Sequence, residues 1–114
     1  MATSTISANN ATQTYIEASN GITGGIRLWK DPNSKTVRAY GYFRRSTDIT
    51  VNTDIFVVPD GYRPATEYAL PCFLYTSGNA GVAFTASVYA SGSVRQRLGA
   101  TIREGIIVGE WQYA

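Results

Sequence analysis

The alternation of side chains along Thr36 to Arg45 is the sequence feature that most restricts the fold. Successive side chains of a β-strand point to opposite faces, so alternation predicts one face in a core and the other toward solvent or a partner. The predicted core set is Val37, Ala39, Gly41 and Phe43, and the predicted outer set is Arg38, Tyr40, Tyr42 and Arg44. No window of a dozen residues has the 3.6-residue period of a helix, which predicts almost no helical structure.

The alternation recurs along the chain and predicts seven or eight antiparallel strands. Turn-forming residues separate the strands at intervals of about 8–12 residues, a spacing typical of a small β-barrel or sandwich. Pro71 lies inside one strand and cannot donate a hydrogen bond, so that strand should be an edge or contain a bulge. Seven predicted strands are Ile26–Lys30, Thr36–Arg45, Asp54–Val58, Glu67–Thr76, Gly81–Tyr89, Ser93–Leu98 and Gly105–Tyr113, and Gln13–Glu17 and Asp48–Asn52 are the candidates for a further short strand.

The length of 114 residues fits a single domain with a modest core, and subunit association is a plausible further source of stability. Residues 1–23 are rich in small and polar types, which predicts a neck or arm with at most one short strand. Residues 24–114 should form the compact β-barrel, which begins at the Gly24-Gly25 pair.

The composition argues against several classes of function. The chain has no histidine and a single cysteine, Cys72, so an internal disulfide is excluded, zinc chemistry is improbable and no cofactor is expected. Cys72 lies in an apolar run and is predicted to be a buried, unreactive thiol. The net charge of +2 is spread without a basic run, which gives little support to nucleic-acid binding.

The sequence also lacks the usual motifs of catalysis and of membrane insertion. The sequence has no nucleophile elbow, phosphate-binding loop or zinc-protease motif, so we expect a binding protein rather than an enzyme. Two of its eight carboxylates could still meet as a glycosidase pair, and this alternative stays open. No apolar stretch approaches the roughly 20 residues of a membrane span, and no signal peptide is evident, so synthesis in the cytoplasm is expected.

The C-terminal half contains the side-chain types that bind saccharides. Aromatic rings stack on the C–H faces of sugars, and planar polar groups bond pairs of hydroxyls. The predicted saccharide-binding residues are Tyr89, Arg95, Gln96, Arg97, Trp111 and Tyr113. Two simpler interpretations stay open: the arginines could form a solvated strand face, and Trp111 could belong to the core, because it alternates with Ile107 and Gly109.

A second group of aromatic and arginine residues predicts a contact between subunits. Tyrosines placed between arginines would be unusual on a bare solvent-facing strand, and both residue types are enriched at interfaces. The predicted interface residues are Trp29, Arg38, Tyr40 and Tyr42.

Two stretches resemble a known family. Val57–Pro64, which reads Val-Val-Pro-Asp-Gly-Tyr-Arg-Pro, precedes an apolar strand, a strand-turn-strand with Ser91-Gly92 at its turn, and a short aromatic C-terminal strand. This order resembles the head domain of receptor-binding proteins of siphophages that infect lactococci and related bacteria. The hairpin from Leu28 to Tyr42 is similar to the opening of that domain, and the resemblance covers roughly residues 24–114.

The resemblance implies a small β-barrel head, assembled as a homotrimer on the phage tail tip or baseplate, that binds host cell-wall saccharide or phosphosaccharide. Of the residue types used in the family's sites, Trp111, Arg95 and Arg97 match, and the chain has no histidine. Membrane insertion and nucleic-acid binding are not implied. Two alternatives stay open: a structural trimeric tail or fibre tip without its own ligand, and a glycan-depolymerising tail domain.

Overall fold

The computed structural model describes residues 12–74, 82–97 and 102–114, with side chains for residues 12–70, 85–97 and 102–114. This part of the chain is all β and contains no helix, as the alternation predicts. Its strands are β1 Thr12–Glu17, β2 Thr23–Asp31, β3 Thr36–Ile49, β4 Phe56–Val57, β5 Tyr68–Leu74, β6 Val82–Val88, β7 Ser93–Gln96 and β8 Ile102–Gln112.

The strands pair in the antiparallel order β1-β2-β3-β8-β5-β6-β7-β4. β8 and β5 share three residue pairs, Cys72–Ile107 to Leu74–Gly105, and this narrow junction joins two four-stranded halves. We call β1-β2-β3-β8 the front half and β5-β6-β7-β4 the back half. The edge strands approach where the Ser19 amide donates to the Ile55 carbonyl at 2.9 Å, but no described ladder joins β1 to β4, so the barrel is not closed.

The inner faces of the two halves share one core. Along β3 the predicted alternation is confirmed, because Val37, Ala39 and Phe43 are buried while Arg38 and Tyr40 are exposed. Phe43 of the front half meets Phe56 of the back half edge to face, with ring centroids 6.3 Å apart. Fully burying a side chain of this size contributes roughly 1.5–3 kcal/mol.

A two-residue turn connects β1 to β2. Asn20 and Gly21 have φ angles of 58° and 71°, and the Ile22 amide donates to the Ser19 carbonyl at 3.1 Å. Positive φ at both central positions is the geometry that an Asn-Gly pair favours in hairpins. β1 is therefore an edge strand paired with β2 along its whole length. The assignment of residues 1–23 to a neck stays a prediction, and residues 1–11 lie outside the described residues.

The separate strand predicted at Asp48–Asn52 is wrong. β3 instead continues to Ile49, with a register shift between Arg44 and Ile49. The Arg45 guanidinium donates to the carbonyls of Asn20, Thr47 and Asp48 in this irregular stretch. A charged side chain therefore supplies donors where the regular ladder is interrupted, which a two-residue period cannot reveal.

Pro71 does not mark an edge strand, because β5 lies between β8 and β6. Pro71 pairs with Thr85 of β6, whose carbonyl accepts from the Arg97 amide on the opposite side. The backbone N–H and C=O of Thr85 therefore point to β7. Because Pro71 and Thr85 are a pair without mutual hydrogen bonds, the backbone nitrogen of Pro71 faces β8. Pairing with β8 starts one residue later, at Cys72, so an interior strand accommodates the proline.

Substitutions at two adjacent residues of β4 test whether the two halves share one core. Phe56→Ala should lower the free energy of unfolding by about 3–5 kcal/mol, because it leaves a cavity between the halves. Val57→Ala, at a side chain that is 38% exposed, should change it by less than about 1 kcal/mol. Urea unfolding followed by tryptophan fluorescence measures both, and equal losses would contradict the shared core.

Candidate functional site

Three of the predicted saccharide-binding residues lie on one outer surface of the back half. Within β7, Arg95 points outward and Gln96 points into the core. Arg95 pairs across the strands with Ser87 of β6, two residues before Tyr89, and Arg97 follows β7 directly. We call this surface the arginine face, and its residues are Asp54, Glu67, Ser87, Tyr89, Arg95 and Arg97.

Carboxylates and an aromatic ring hold both guanidinium groups of the arginine face. Arg95 Nε lies 2.5 Å from Asp54 Oδ1, and the guanidinium carbon lies 5.7 Å from the centre of the Tyr89 ring. The hydrogen bond that Arg95 donates to Asp54 raises the pKa of Arg95 above its ordinary value. Arg97 Nε lies 3.0 Å from Glu67 Oε2. Each contact uses one of an arginine's five N–H donors and fixes the plane of the rest.

Ser87 adds a buried hydroxyl beside Arg95. It is fully buried, and its Oγ has no hydrogen-bond partner among the described residues. A buried hydroxyl without a partner costs about 1–3 kcal/mol, so such groups are rare in folded proteins.

The other three predicted saccharide-binding residues do not join this surface. Trp111 is 1% exposed and its indole N–H donates to the Tyr62 carbonyl at 2.7 Å, so it is a core residue and its assignment to a surface site is wrong. Gln96 is also 1% exposed and faces the core, so its assignment is wrong as well. Tyr113 is partly buried, and its ring centre lies 4.4 Å from the Lys30 ammonium nitrogen, which also faces the Tyr62 ring.

The four predicted interface residues lie on the outer surface of the front half. The Trp29 indole N–H donates to Gln13 Oε1 at 3.1 Å, and the Arg38 guanidinium carbon lies 5.8 Å from the Trp29 ring centre. Tyr40 is 50% exposed, and Tyr42 is partly exposed on the same strand face. Their role at a subunit contact stays a prediction.

A depression of about 250 Å³ interrupts this front surface. Tyr15, Arg27 and Tyr40 are direct neighbours across β1, β2 and β3, and Glu17, Gly25 and Tyr42 occupy the next row. Gly25 has no side chain of its own, and the tip of the Tyr15 ring covers it. We call the depression the tyrosine cleft, and it is lined by Tyr15, Gly24, Gly25, Arg27, Tyr40 and Tyr42.

Close contacts explain the two glycines of the cleft. A Cβ atom on Gly25 would lie 2.2 Å from the tip of the Tyr15 ring, so that ring leans over Gly25. Gly24 has a φ of +124°, and a Cβ atom there would lie 2.1 Å from the Tyr42 carbonyl oxygen. The sequence offers a signal for this feature, because paired glycines inside an alternating strand indicate close approach of another group. The sequence analysis above interprets the pair as a domain boundary and does not predict the cleft.

The charges around the cleft differ from those on the arginine face. The Arg27 guanidinium carbon lies 5.7 Å from the Tyr15 ring centre. The ion pairs of the described residues involve Arg95, Arg97 and Arg103, so no described carboxylate neutralises Arg27. The cleft therefore combines exposed aromatic rings with the positive charge of Arg27, while the carboxylates of Glu17 and Glu104 belong to the residues next to Gly25 and Tyr42.

The described residues contain no group of three or more side chains suited to holding a metal ion. Within the same ranges there is no helix that could cross a membrane. The Cys72 side chain, predicted to be buried, lies outside the side chains that the structure describes.

The chain matches no protein-family model and no curated protein sequence. The resemblance to siphophage heads therefore rests on the sequence stretches named above.

Tyr42 gives the cleft a measurable pH dependence. Its hydroxyl donates to Glu104 at 2.5 Å, and this hydrogen bond, with burial and the Glu104 charge, raises the pKa of Tyr42 above its ordinary value near 10. The folded state favours the protonated phenol, so this stabilisation is present below about pH 10 and is lost as the pH rises further. The free energy of unfolding should fall above about pH 10, and Tyr42→Phe should reduce that fall. An identical fall in Tyr42→Phe would contradict the assignment.

Proposed function

We propose that this chain is the head of a phage tail receptor-binding protein, which binds a host cell-wall saccharide without turning it over. The arginine face is the observation that carries the proposal. It combines one aromatic ring, two guanidinium groups in fixed planes and two carboxylates on the outside of a rigid sheet. In this proposal the chain acts in the virion, at the tail tip or baseplate.

The chemistry of the arginine face suits sugar hydroxyls. Each guanidinium keeps N–H donors beyond the one bonded to its carboxylate, and each carboxylate has a second oxygen that can accept. Adjacent sugar hydroxyls can therefore bond to a donor and an acceptor side by side. The Tyr89 ring lies next to them and offers an apolar surface to a C–H face.

The same ion pairs favour binding over glycoside hydrolysis. A glycosidase needs one carboxyl group whose pKa is raised so that it can donate a proton to the leaving oxygen. Asp54 and Glu67 are instead partly exposed, and each lies within 3.0 Å of a guanidinium nitrogen, so neither occupies the apolar pocket typical of such a proton donor. This arrangement supports saccharide contact without chemistry.

We further propose a homotrimer, because a single shallow site binds weakly and several linked sites raise the effective concentration. The row formed by Trp29, Arg38 and Glu110 is the proposed subunit contact. Arg38 pairs across the strands with both neighbours, which places opposite charges side by side next to an indole ring. Aromatic and arginine side chains of this kind are common at interface centres.

A second candidate function is a structural tail tip that assembles without a ligand of its own. Its support is the partly exposed apolar surface of β3 and β8, where Tyr40 pairs with Val108 and Tyr42 pairs with Ile106. Under this alternative the arginine face would be a solvated surface with no partner.

A bacterial glycan array can test the proposal with matched variants. The doubly substituted Arg95→Gln, Arg97→Gln protein removes both guanidiniums of the arginine face. The control is Arg103→Gln, because Arg103 also pairs with a carboxylate, Asp48, at 2.7 Å but lies on the front half. The wild type and the control should bind the same glycans, and the double variant should bind them at least about tenfold more weakly, a loss of about 1.4 kcal/mol.

Two results would contradict saccharide binding at this surface. One is a wild type that retains no glycan, combined with a native mass that shows a trimer, which would favour the structural alternative. The other is equal retention by the double variant and the wild type.

A further inference from the structure

The tyrosine cleft has the form of a binding site of its own. Its floor is the backbone of Gly24 and Gly25, and tyrosine rings rise on both sides. The tip of the Tyr15 ring covers Gly25, and the cleft is the space that remains beside this ring. The volume of about 250 Å³ lies below the range typical of drug-sized ligands, so it suits a single ring.

The walls of the cleft present apolar surface to solvent. Tyr15 is 53% exposed and Tyr40 is 50% exposed, and they flank the same residue, Arg27, on neighbouring strands. Tyrosine rings packed on a rigid sheet lose little conformational freedom on binding. Such rings stack favourably against the C–H face of a sugar ring.

Arg27 supplies a charge at the same place. Its guanidinium lies over the Tyr15 ring, and no described carboxylate pairs with it. A guanidinium that stacks through its face keeps its N–H edge for a planar anion such as a carboxylate or phosphate. The arginines of the back half differ, because Asp54 and Glu67 already neutralise them.

From these observations we propose that the tyrosine cleft is a second ligand site, which takes one sugar ring between Tyr15 and Tyr40 and a negatively charged substituent of that ring at Arg27. This site is separate from the arginine face and does not depend on it. Under this proposal Tyr40 and Tyr42 contact a ligand, whereas the sequence predicts that they contact another subunit.

The competing occupant is a second copy of the chain. A flat sheet-to-sheet contact would leave the cleft, with its volume of about 250 Å³, as a void. It would also bury Arg27 away from water without a described partner, which is costly. Both points favour a small charged ligand.

Three soluble probes test the site because they share one ring and differ at one carbon: D-glucose, D-glucuronate and D-glucose 6-phosphate. Titration followed by NMR of the labelled protein gives each dissociation constant. Glucuronate, glucose 6-phosphate or both should bind at least about tenfold more tightly than glucose. This advantage should shrink as salt rises from about 10 mM to 0.5 M, because salt screens exposed charges. Equal binding of all three probes, or no binding, would overturn the proposal.

Substitutions separate the two parts of the site. Arg27→Gln should remove the preference for the charged probes and leave glucose binding unchanged. Tyr40→Ala should weaken all three probes at least about tenfold and, at a half-exposed position, should leave the fold intact. Gly25→Ala should have the same effect by displacing the Tyr15 ring.

The control distinguishes this site from the arginine face. Arg103→Gln, at an exposed arginine outside both the cleft and the arginine face, should bind the three probes like the wild type, and the shifts that the probes cause in the wild type should lie at the cleft rather than around Arg95. Probe binding that is lost in Arg95→Gln and kept in Arg27→Gln would overturn the cleft assignment. A native mass showing an oligomer that Tyr40→Ala dissociates would also overturn it, because the cleft would then be a contact between copies.

Discussion

The structure depends on the contact between the inner faces of two four-stranded halves. Phe43 and Phe56 meet across this contact, and Leu70 lies close enough to Gly109 that a Cβ atom there would be 2.4 Å from it. Among the described residues, three pairs join β8 to β5, which is a short ladder. Packing of apolar side chains between the halves must therefore supply much of the stability. From Val37 to Phe43 of β3, every second residue is used in this way, and the alternate residues form the outer surface.

The arginine side chains of the proposed sites on the two outer surfaces have different contact partners, and this difference underlies the proposed functions. On the back half, carboxylates neutralise Arg95 and Arg97, which leaves a polar surface with fixed donors and acceptors. On the front half, Arg103 also pairs with Asp48, but Arg27 lies over the Tyr15 ring and forms no ion pair with a described carboxylate. The first arrangement suits neutral hydroxyl groups, whereas the second retains positive charge beside apolar rings.

The sequence predicts the strands well because the two-residue period is local, but it cannot say which strands face each other. The outward position of Tyr40 follows from its own strand. The burial of Trp111 depends on the Tyr62 carbonyl, 49 residues away, and the Arg95–Asp54 pair spans 41 residues. The tyrosine cleft needs the register that brings Tyr15 to Arg27 and Tyr40. Such long-range pairings follow from topology, which alternation does not specify.

The central claim is that this domain binds saccharide on its outer strand faces and leaves it chemically unchanged. Amide chemical-shift mapping with purified host cell-wall polysaccharide tests it directly, with the polysaccharide's size distribution measured before and after. The account predicts shifts confined to Tyr15–Tyr42 of the front half, the Tyr89–Arg97 region of the back half, or both, with an unchanged size distribution. Shortened polysaccharide, or shifts confined to residues outside both surfaces, would contradict it.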